Sequence, residues 1–544
     1  MRRHPGAFIL VLLTGCAILT GQENSSRPAT SPLQVTKEDL LTNPVAENWP
    51  SYNGDYTGRR FSRLGEINRG NVAQMRAAWV FHPGNSQRLE VTPVVIRGVM
   101  YVTSANDVFA LDAATGRTLW HYSRSISSGL LDDAASHKSR GVAVWDQFVY
   151  SETDDAHLLC LDARSGNLLW DIEFADKLKQ YGATSAPLVV KDEVIVGSSG
   201  GDSGVRGFLA AYDARKGTLR WKLWTIPAPG EFGSDGWPGD SYLHGGGTTW
   251  LPGTYDPELD TLYWTTSNAA PDFDGSSRPG DNIYTASVLA IDPNTGKLKW
   301  YFQFTPHDLY DYDANETTVL VDREENGKLL HLLLQANRNG FFYVLDRTNG
   351  KFLRASPFVE KLNWAKGIDG SGRPILSGLV PTKEGAHICP GIVGATNWFS
   401  PSYNPQTGLF YVMALENCNL YFTKPQTFSL GETFYGTGTK HPVGEDSRKI
   451  LLALSPSDGR KLWQYPQVGR GNSWAGTLTT AGGLVFFGDD SESFEAADAE
   501  TGRPLWHFNT GQSFSASPMT YAANGIQYVA IAAGSDVFSF ALPH

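Results

Sequence analysis

The stretch "LDAATGRTLW", residues 111–120, recurs along the chain and determines the predicted fold. An aspartate opens a turn that Gly116 closes, and the apolar residues on both sides predict the two strands of a hairpin. Trp120 is predicted to dock this hairpin onto its neighbour by burying a large ring. These docking turns, six with the tryptophan and one with Arg354 in its place, are 111–120, 161–170, 212–221, 291–300, 345–354, 454–463 and 497–506.

The spacing of the docking turns predicts one repetitive all-β domain over residues 41–544. The interval from Gly350 to Gly459 is about twice the usual one, which predicts a degenerate unit near "NPQTGLFYVMAL", residues 404–415, and eight units in total. Hairpin repeats of this length predict an eight-bladed β-propeller with tryptophan-docking motifs. The long interval before Gly296 predicts an elaborated loop within residues 222–290.

The composition narrows the possible functions. The 544 residues carry a net charge of −11 without a long basic run, which argues against nucleic-acid binding. Charged residues are only 19% and aromatic residues reach 12%, a mixture that favours a folded protein rich in strands.

The N-terminal residues predict export. Arg2 and Arg3 precede a short apolar run that ends in "LLTGC", which is similar to a bacterial lipobox. Residues 1–15 are therefore predicted to be a lipoprotein-type signal peptide, with Cys16 as the lipidated first residue and residues 16–40 as a flexible tether. An ordinary cleaved signal with an accidental cysteine is the alternative. The predicted location is the periplasm, with a lipid as the only membrane anchor.

Three cysteines would remain beyond Cys16. In an oxidising compartment Cys389 and Cys418 could form a disulfide. Cys160 lies in the apolar run "LLCLD" and is predicted to be a buried free thiol.

The segment "HDLYDYDANE", residues 307–316, concentrates negative charge in four acids, Asp308, Asp311, Asp313 and Glu316. If this acidic segment is extended, Asp311 and Asp313 point to the same side. Two carboxylates so close repel each other unless a cation lies between them. The segment alone leaves open whether it forms a metal site or a solvated acidic loop.

The docking turns and the acidic segment together resemble the quinoprotein dehydrogenases, eight-bladed propellers that carry pyrroloquinoline quinone (PQQ). The similarity extends from "WPSYNGDYTGRRFSRL", beginning at Trp49, to "GIQYVAIAAG", ending at Gly534. Methanol- and ethanol-type alcohol dehydrogenases are the most similar. The resemblance implies that PQQ binds above a metal ion and that a primary alcohol, or a related hydroxyl substrate, is oxidised to the aldehyde.

The resemblance also implies a cofactor site. Arg140 would pair with a carboxylate of the quinone, and the flat ring would stack on Trp250. A planar tricarboxylate requires an aromatic surface, guanidinium partners and close backbone approach, so the residue types fit. The alternatives are that Arg140 or Arg338 forms a surface salt bridge and that Thr248 serves a turn. The implied cofactor contacts are Glu90, Arg140, Thr184, Ser199, Gly200, Gly201, Thr248, Trp250, Arg338, Asn397 and Trp474.

Catalytic and metal-binding residues follow from the same resemblance. Asp311 would be the catalytic base, and Arg338 would stabilise negative charge on the quinone oxygen. The implied metal ligands are Asp202, Asn268, Asp311 and Asp313, whose hard oxygen atoms suit Ca²⁺ or a lanthanide. Asp313 matches the additional carboxylate of lanthanide-using relatives. Asp308 and Glu316 are predicted to be surface acids or acids behind the site.

Several departures from the family pattern leave alternatives open. The stretch "DDAASHKSRG", residues 132–141, lacks the pair of adjacent cysteines that covers the quinone in related alcohol dehydrogenases, and His137 is a candidate cover. Asp202 replaces a longer glutamate. Without a Cys-x-x-Cys-His motif no haem is expected, so electrons would pass to a separate soluble cytochrome c. The alternative functions are a PQQ-dependent aldose dehydrogenase and a non-catalytic propeller scaffold lipoprotein.

Overall fold

A computed structural model describes residues 34–84, 88–325, 327–469, 471 and 473–543. The predicted signal peptide, Cys16 and most of the predicted tether lie outside these residues. The last part of the tether prediction is wrong, because Val35 exchanges backbone hydrogen bonds of 2.7 and 2.8 Å with Asp146. The helix Lys37–Leu41 follows and buries Leu40.

Eight sheets of four or five strands contain most of the strand residues that the structure describes, and they confirm the predicted β-propeller fold. The strands of the first four sheets, in chain order, are Val94–Ile96, Val99–Ser104, Asp107–Asp112 and Thr118–Tyr122; Ala143–Trp145, Phe148–Glu152, His157–Asp162 and Leu168–Glu173; Leu188–Val190, Glu193–Gly197, Phe208–Asp213 and Leu219–Trp224; and Thr254–Asp256, Thr261–Thr265, Ser287–Ile291 and Leu298–Gln303. Within each of these sheets, consecutive strands are antiparallel neighbours.

The remaining four sheets continue in the same manner until the last strand meets an early one. Their strands are Val319–Glu325, Lys328–Ala336, Phe341–Asp346 and Lys351–Pro357; Ser402–Asn404, Leu409–Glu416, Arg448–Leu454 and Lys461–Pro466; Thr477–Thr480, Leu484–Gly488, Ser493–Asp498 and Pro504–Asn509, with Phe61–Ser62 added in parallel; and Met519–Ala523, Ile526–Ala533 and Asp536–Ala541, with Arg76–Phe81. In the eighth sheet the early strand Arg76–Phe81 pairs antiparallel with the last strand, so this sheet joins the two ends of the chain.

Each docking turn packs against the preceding sheet as predicted. Trp120 donates its indole hydrogen to the carbonyl oxygen of Ala163 at 3.0 Å, and its ring lies over Gly166. That glycine has a φ of +73°, and a Cβ built on it would lie 2.5 Å from the ring, so the turn requires glycine. Arg354, the exception in the pattern, donates from Nε to the carbonyl oxygen of Pro456 at 2.7 Å and thereby replaces the indole.

The predicted degenerate unit at residues 404–415 is wrong. Asn404 ends one strand of the sixth sheet and Leu409 begins its antiparallel partner, so "NPQTG" is the first hairpin turn of an ordinary sheet. The additional residues after Gly350 form two small sheets outside the eight. These consist of Ala365–Ile368 and Pro374–Leu376, and of Ala386–Ile388, Asn419–Thr423 and Thr437–Lys440.

The missing eighth docking residue is Trp79, in the strand Arg76–Phe81. Its indole donates to the carbonyl oxygen of Ala113 at 3.2 Å, and its ring packs on Gly116. The sequence pattern does not reveal it, because the hairpin partner of this strand lies at the other end of the chain.

Short 3₁₀ helices lie in the connections between strands. The stretch 222–290 contains the predicted elaborated loops, one before Thr254 and one between Thr265 and Ser287. The 3₁₀ helices are Val72–Gln74, Asp132–Ser136, Lys177–Lys179, Gly201–Ser203, Ser234–Gly236 and Ser241–His244.

The predictions for Cys389, Cys418 and Cys160 are confirmed. Cys389 and Cys418 form a disulfide, and Cys160 is a buried free thiol. A search of the described helices for one long and apolar enough to cross a membrane finds none.

Candidate active site

One cavity of about 520 Å³ collects every residue that the sequence predicts for the cofactor and metal sites. They come from connections spread between the first and the seventh sheets, so the complete fold is needed to bring them together. The residues are Glu90, Arg140, Thr184, Ser199, Gly200, Gly201, Asp202, Thr248, Trp250, Asn268, Asp311, Asp313, Arg338, Asn397 and Trp474.

The glycine-containing connection after the strand Glu193–Gly197 forms a tight wall of the cavity. Gly200 has a φ of +103°, and a Cβ built on it would lie 2.3 Å from the backbone oxygen of Gln180. Only glycine fits this position. Beside it, the hydroxyls of Thr184 and Ser199 lie 3.0 Å apart, which fixes both side chains at the cavity wall.

Arg140 forms the basic end of the cavity. Its Nη2 lies 2.7 Å from Glu90 Oε2, and its Nη1 donates to the Thr184 carbonyl oxygen at 2.8 Å. The guanidinium carbon lies 5.0 Å from the ring centre of Trp250 and 4.8 Å from that of Trp398. These contacts present a fixed guanidinium beside two indoles, a combination suited to a flat, anionic aromatic compound.

Asp311, Asp313 and Arg338 form a charged group at the other end, in which Asp313 and Arg338 are buried and Asp311 is half-buried. Arg338 Nη2 lies 3.2 Å from Asp311 Oδ2, and Nη1 lies 3.0 Å from Asp313 Oδ2. Although burial opposes the charge of Arg338, the neighbouring carboxylates raise its pKa. The guanidinium therefore offsets the repulsion between the two carboxylates.

The acidic segment is not extended throughout, so the condition under which both acids would point to the same side is not met. Asp311 has a φ of +59°, in the left-handed region, so the chain bends between the two acids. Their carboxylates nevertheless converge, because both pair with Arg338. Asp313 Oδ1 also accepts the backbone N–H of Asn268 at 2.7 Å, which connects the acidic segment to the connection after Thr265.

An additional carboxylate, Asp272, lies at this acidic end and was not predicted. Burial, Asp311 and Asp313 raise its pKa well above the usual value. Its Oδ1 and the Nδ2 of Asn268 are buried without a hydrogen-bond partner among the described residues. The motif "TTSNAAPD" contains both residues, and the spacing of four between the two polar side chains was the available signal.

The acidic end fits a cation. In the part of the lining away from Arg140 and Glu90, the four carboxylates of Asp202, Asp272, Asp311 and Asp313 accompany the guanidinium of Arg338, and Asn268 adds an amide. Hard oxygen donors with excess negative charge suit Ca²⁺ or a lanthanide rather than zinc. The raised pKa of Asp272 and its orphaned oxygen are the expected signs of a carboxylate group that lacks its counter-ion.

The other two acids of the segment are not surface residues. Asp308 accepts the backbone N–H groups of Tyr310 and Tyr312 at 2.9 and 2.7 Å, and burial raises its pKa to about 6. Glu316 is also buried, and burial raises its pKa well above the usual value despite the nearby Arg338. Both therefore belong to the interior behind the cavity, where Asp308 holds the turn of the acidic segment.

His137, the candidate cover, does not line the cavity. The residue has a φ of +52° and its Nδ1 lies 2.9 Å from Asp154 Oδ2, outside the cavity lining. Its neighbours Ser136 and Lys138 line the cavity instead. Trp398 also lines the cavity, although the sequence analysis did not predict it. Its position next to the predicted contact Asn397 could have indicated that this aromatic residue belongs to the site.

Comparisons with known proteins agree with this geometry. The family described as "PQQ: Glucose/ethanol/alcohol dehydrogenase, beta-propeller domain" matches residues 49–360 and 441–529. A quinoprotein alcohol dehydrogenase of Pseudomonas putida is 35% identical, over 97% of this chain and 91% of the relative. A lanthanide-dependent methanol dehydrogenase of Methylacidiphilum fumariolicum is also 35% identical, over 89% of this chain and 84% of the relative.

A solved structure supports the same assignment. The quinohemoprotein alcohol dehydrogenase of Comamonas testosteroni superimposes with a TM-score of 0.86 and 34% identity, covering 94% of this chain and 83% of that one. The resemblance found in the sequence is thus confirmed over nearly the whole chain. The chain belongs to the β-propeller family of PQQ-dependent glucose, ethanol and alcohol dehydrogenases.

Proposed function

We propose that this protein is a periplasmic dehydrogenase that uses PQQ and one metal ion to oxidise a primary alcohol, or a related hydroxyl compound, to the aldehyde. The observation that carries the proposal is the pairing of Asp311 with Arg338 at 3.2 Å. Both residues line the cavity that also contains Arg140 and Trp250. Named relatives that cover nearly the whole chain support the alcohol class.

The residues present fit both groups. Asp202, Asn268, Asp311 and Asp313 would hold the metal ion, with Asp272 close by, and Trp250 with Arg140 would hold the quinone. When bound, PQQ supplies a two-electron acceptor and the metal ion supplies a Lewis acid.

Asp311 is proposed to take the proton of the substrate hydroxyl. Its carboxylate pairs with Arg338, which favours the anionic form that a base requires. Arg338 donates to Asp311, to Asp313 and to the Ile392 carbonyl oxygen at 2.7 Å, and these contacts fix it for stabilising negative charge that develops during the reaction.

The cellular setting is part of the same proposal. Cleavage before Cys16 and its lipidation would anchor the protein to a bacterial membrane, and a separate cytochrome c would accept the electrons. The disulfide between Cys389 and Cys418 supports an oxidising compartment. No scaffold function is proposed, because the chain belongs to an enzyme family.

Reconstitution tests the proposal. Metal-free protein is loaded with PQQ and either Ca²⁺ or La³⁺, and dye reduction is measured with primary alcohols and, separately, with aldoses. Turnover of alcohols supports the proposal, whereas turnover of aldoses alone would favour the sugar alternative. Asp311→Asn is the matched control, which should retain PQQ binding but lose turnover with both ions. An active Asp311→Asn protein would exclude this residue as the base.

A further inference from the structure

Lys138 lines the active-site cavity without a function in the mechanism above. It lies two residues before Arg140, in the connection that also contains Ser136. Its Nζ donates to the backbone oxygen of Arg88 at 3.3 Å, a neutral acceptor. Burial lowers the pKa of this ammonium group, whereas Glu90, the carboxylate that affects it most, raises it. Lys138 therefore holds a positive charge at the cavity wall and has donors to spare.

The other cation at this end is partly engaged by protein groups, although its buried Nε has no hydrogen-bond partner among the described residues. Arg140 is paired at 2.7 Å with Glu90, and its Nη1 donates to the Thr184 carbonyl oxygen. A buried guanidinium that is already neutralised by a carboxylate offers a ligand less attraction than its formal charge suggests. A tricarboxylate would still face a shortage of positive charge if Arg140 were its only partner there.

The charges of the cavity are separated into two groups. The neighbours that most affect the ammonium of Lys138 are Glu90, Arg88 and Arg140, which give a positive excess. The neighbours of Asp272 are Asp311, Asp313, Arg278 and Asp308, which give a negative excess. A compound matches this separation of charge if it places an anionic group near Lys138 and binds, together with the acids around Asp272, a common cation at its other side.

We propose that Lys138 binds a carboxylate of the quinone cofactor as a second cation beside Arg140. The inference rests on the proposed function, because it presupposes that PQQ occupies this cavity. Lysine suits the position, since its flexible stem can carry the ammonium from the Arg88 carbonyl oxygen to the carboxylate of an incoming ligand. Lys138 is thus a cofactor-binding residue without a part in proton transfer.

Direct titration tests the proposal without measuring turnover. PQQ is added to cofactor-free protein at a fixed Ca²⁺ concentration, and its dissociation constant is measured from quenching of tryptophan fluorescence. Loss of a charge-assisted hydrogen bond in Lys138→Gln should raise the Kd by about tenfold or more. Lys138→Arg retains the charge and should restore most of the affinity. Lys366→Gln, at an exposed lysine outside the cavity, is the matched control and should bind as the wild type does.

Salt provides a second readout. The Kd of the wild type should rise more steeply with ionic strength than the Kd of Lys138→Gln, since one of the attracting charges is missing in the variant. A Kd for folded Lys138→Gln within about twofold of the wild type would overturn the inference, because that is well below the loss expected for a charged contact. If the wild type itself fails to bind PQQ, the proposed function fails as well, so the two failures are distinguishable.

Discussion

Arg338 lies between two carboxylates that would otherwise repel each other, and it determines how the acidic segment folds. The left-handed conformation of Asp311 costs free energy, about 1 kcal/mol or more for a residue that is not glycine. Aspartate tolerates this region better than most residues. The conformation persists because it directs the Asp311 carboxylate to the same guanidinium that binds Asp313.

Asp313 is predicted to determine the choice of metal ion. Asp313→Ala should decrease lanthanide-supported activity about tenfold more than calcium-supported activity, since a trivalent ion needs more negative charge around it. Dye-reduction assays of PQQ-loaded protein with La³⁺ and with Ca²⁺ measure both losses. An equal loss with the two ions would show that Asp313 does not discriminate between them.

Glu152 is predicted to make the stability of the empty protein dependent on pH. Burial raises its pKa to about 8, although the Ser185 backbone and Arg140 act in the opposite direction. The folded protein thus retains a proton that the unfolded chain releases at about the usual pKa of 4.5. The free energy of unfolding should therefore fall as the pH rises from 6 to 8.

Burial also raises the pKa values of Asp308 and Glu495, which contribute to the pH dependence in the same direction. Both acids are present in the wild type and in Glu152→Gln, so the difference between the two proteins isolates the contribution of Glu152. Between pH 6 and 8 the variant should lose less stability than the wild type by about 1–2 kcal/mol. Urea unfolding of metal-free, cofactor-free protein at three pH values measures this difference. Glu258→Gln, at an exposed glutamate, should follow the wild type. Parallel curves for Glu152→Gln and the wild type would contradict the prediction.

At the scale of single residues, the sequence predicts the members of the site better than their contacts. Ordered motifs identify Thr248, Asn268 and Asp311, because each motif combines unusual residue types in a fixed order. They do not reveal that Arg338 joins Asp311 to Asp313, since this pairing requires two distant connections to meet. Lys138 was missed because a single lysine has no distinctive sequence context.

Among the elements, the docking turn couples local conformation to packing between sheets. Gly166→Ala should destabilise the fold for two reasons: its φ is +73°, and the new Cβ would lie 2.5 Å from Trp120. Gly408→Ala is the matched control, with a φ of +69° and no atom within 4 Å of the new Cβ.

The conformational cost, shared by both variants, should be about 1 kcal/mol. The free energy of unfolding of Gly166→Ala should fall by a further 1–3 kcal/mol or so, because the Trp120 ring has to move. Urea unfolding of both variants measures the difference. Equal losses would show that the indole relocates at no cost, and that the docking contact is looser than the structure indicates.

The repeated docking turns also limit how far the elements can be predicted. Seven turns reveal seven sheets, because each has a glycine, and in six of them an aspartate stands four residues before it and in six a tryptophan stands four residues after it; this spacing leaves few alternative structures. The eighth sheet has no such turn, since Arg76–Phe81 pairs with a strand more than 400 residues away in sequence. The interval that contains "NPQTG" misled the prediction because inserted small sheets lengthen it as another repeat would.

For the whole molecule, the site depends on closure of the fold by this eighth sheet. The lining begins with Glu90, shortly after the strand Arg76–Phe81, and ends with Trp474, before the seventh sheet. Residues so far apart in sequence can form one site only when the complete propeller is folded. A metal ion held at the acidic end should therefore stabilise the entire protein against unfolding, because the unfolded chain does not bring its ligands together.

The stabilisation by metal ions should depend on their charge. In PQQ-loaded protein, La³⁺ should raise the Tm more than Ca²⁺ at equal concentration, because four carboxylates face one guanidinium at the acidic end. A metal-ion concentration of 100 times the Kd corresponds to about 2.7 kcal/mol of added stability.

With a net charge of −11, the protein surface also attracts cations. A variant is therefore needed to separate binding at the acidic end from binding elsewhere on the surface. The double variant Asp202→Asn/Asn268→Ala should lose most of the shift, and whatever remains measures binding elsewhere. A shift that this variant fully retains, or one that is equal for the two ions, would show that the acidic end does not select a trivalent ion.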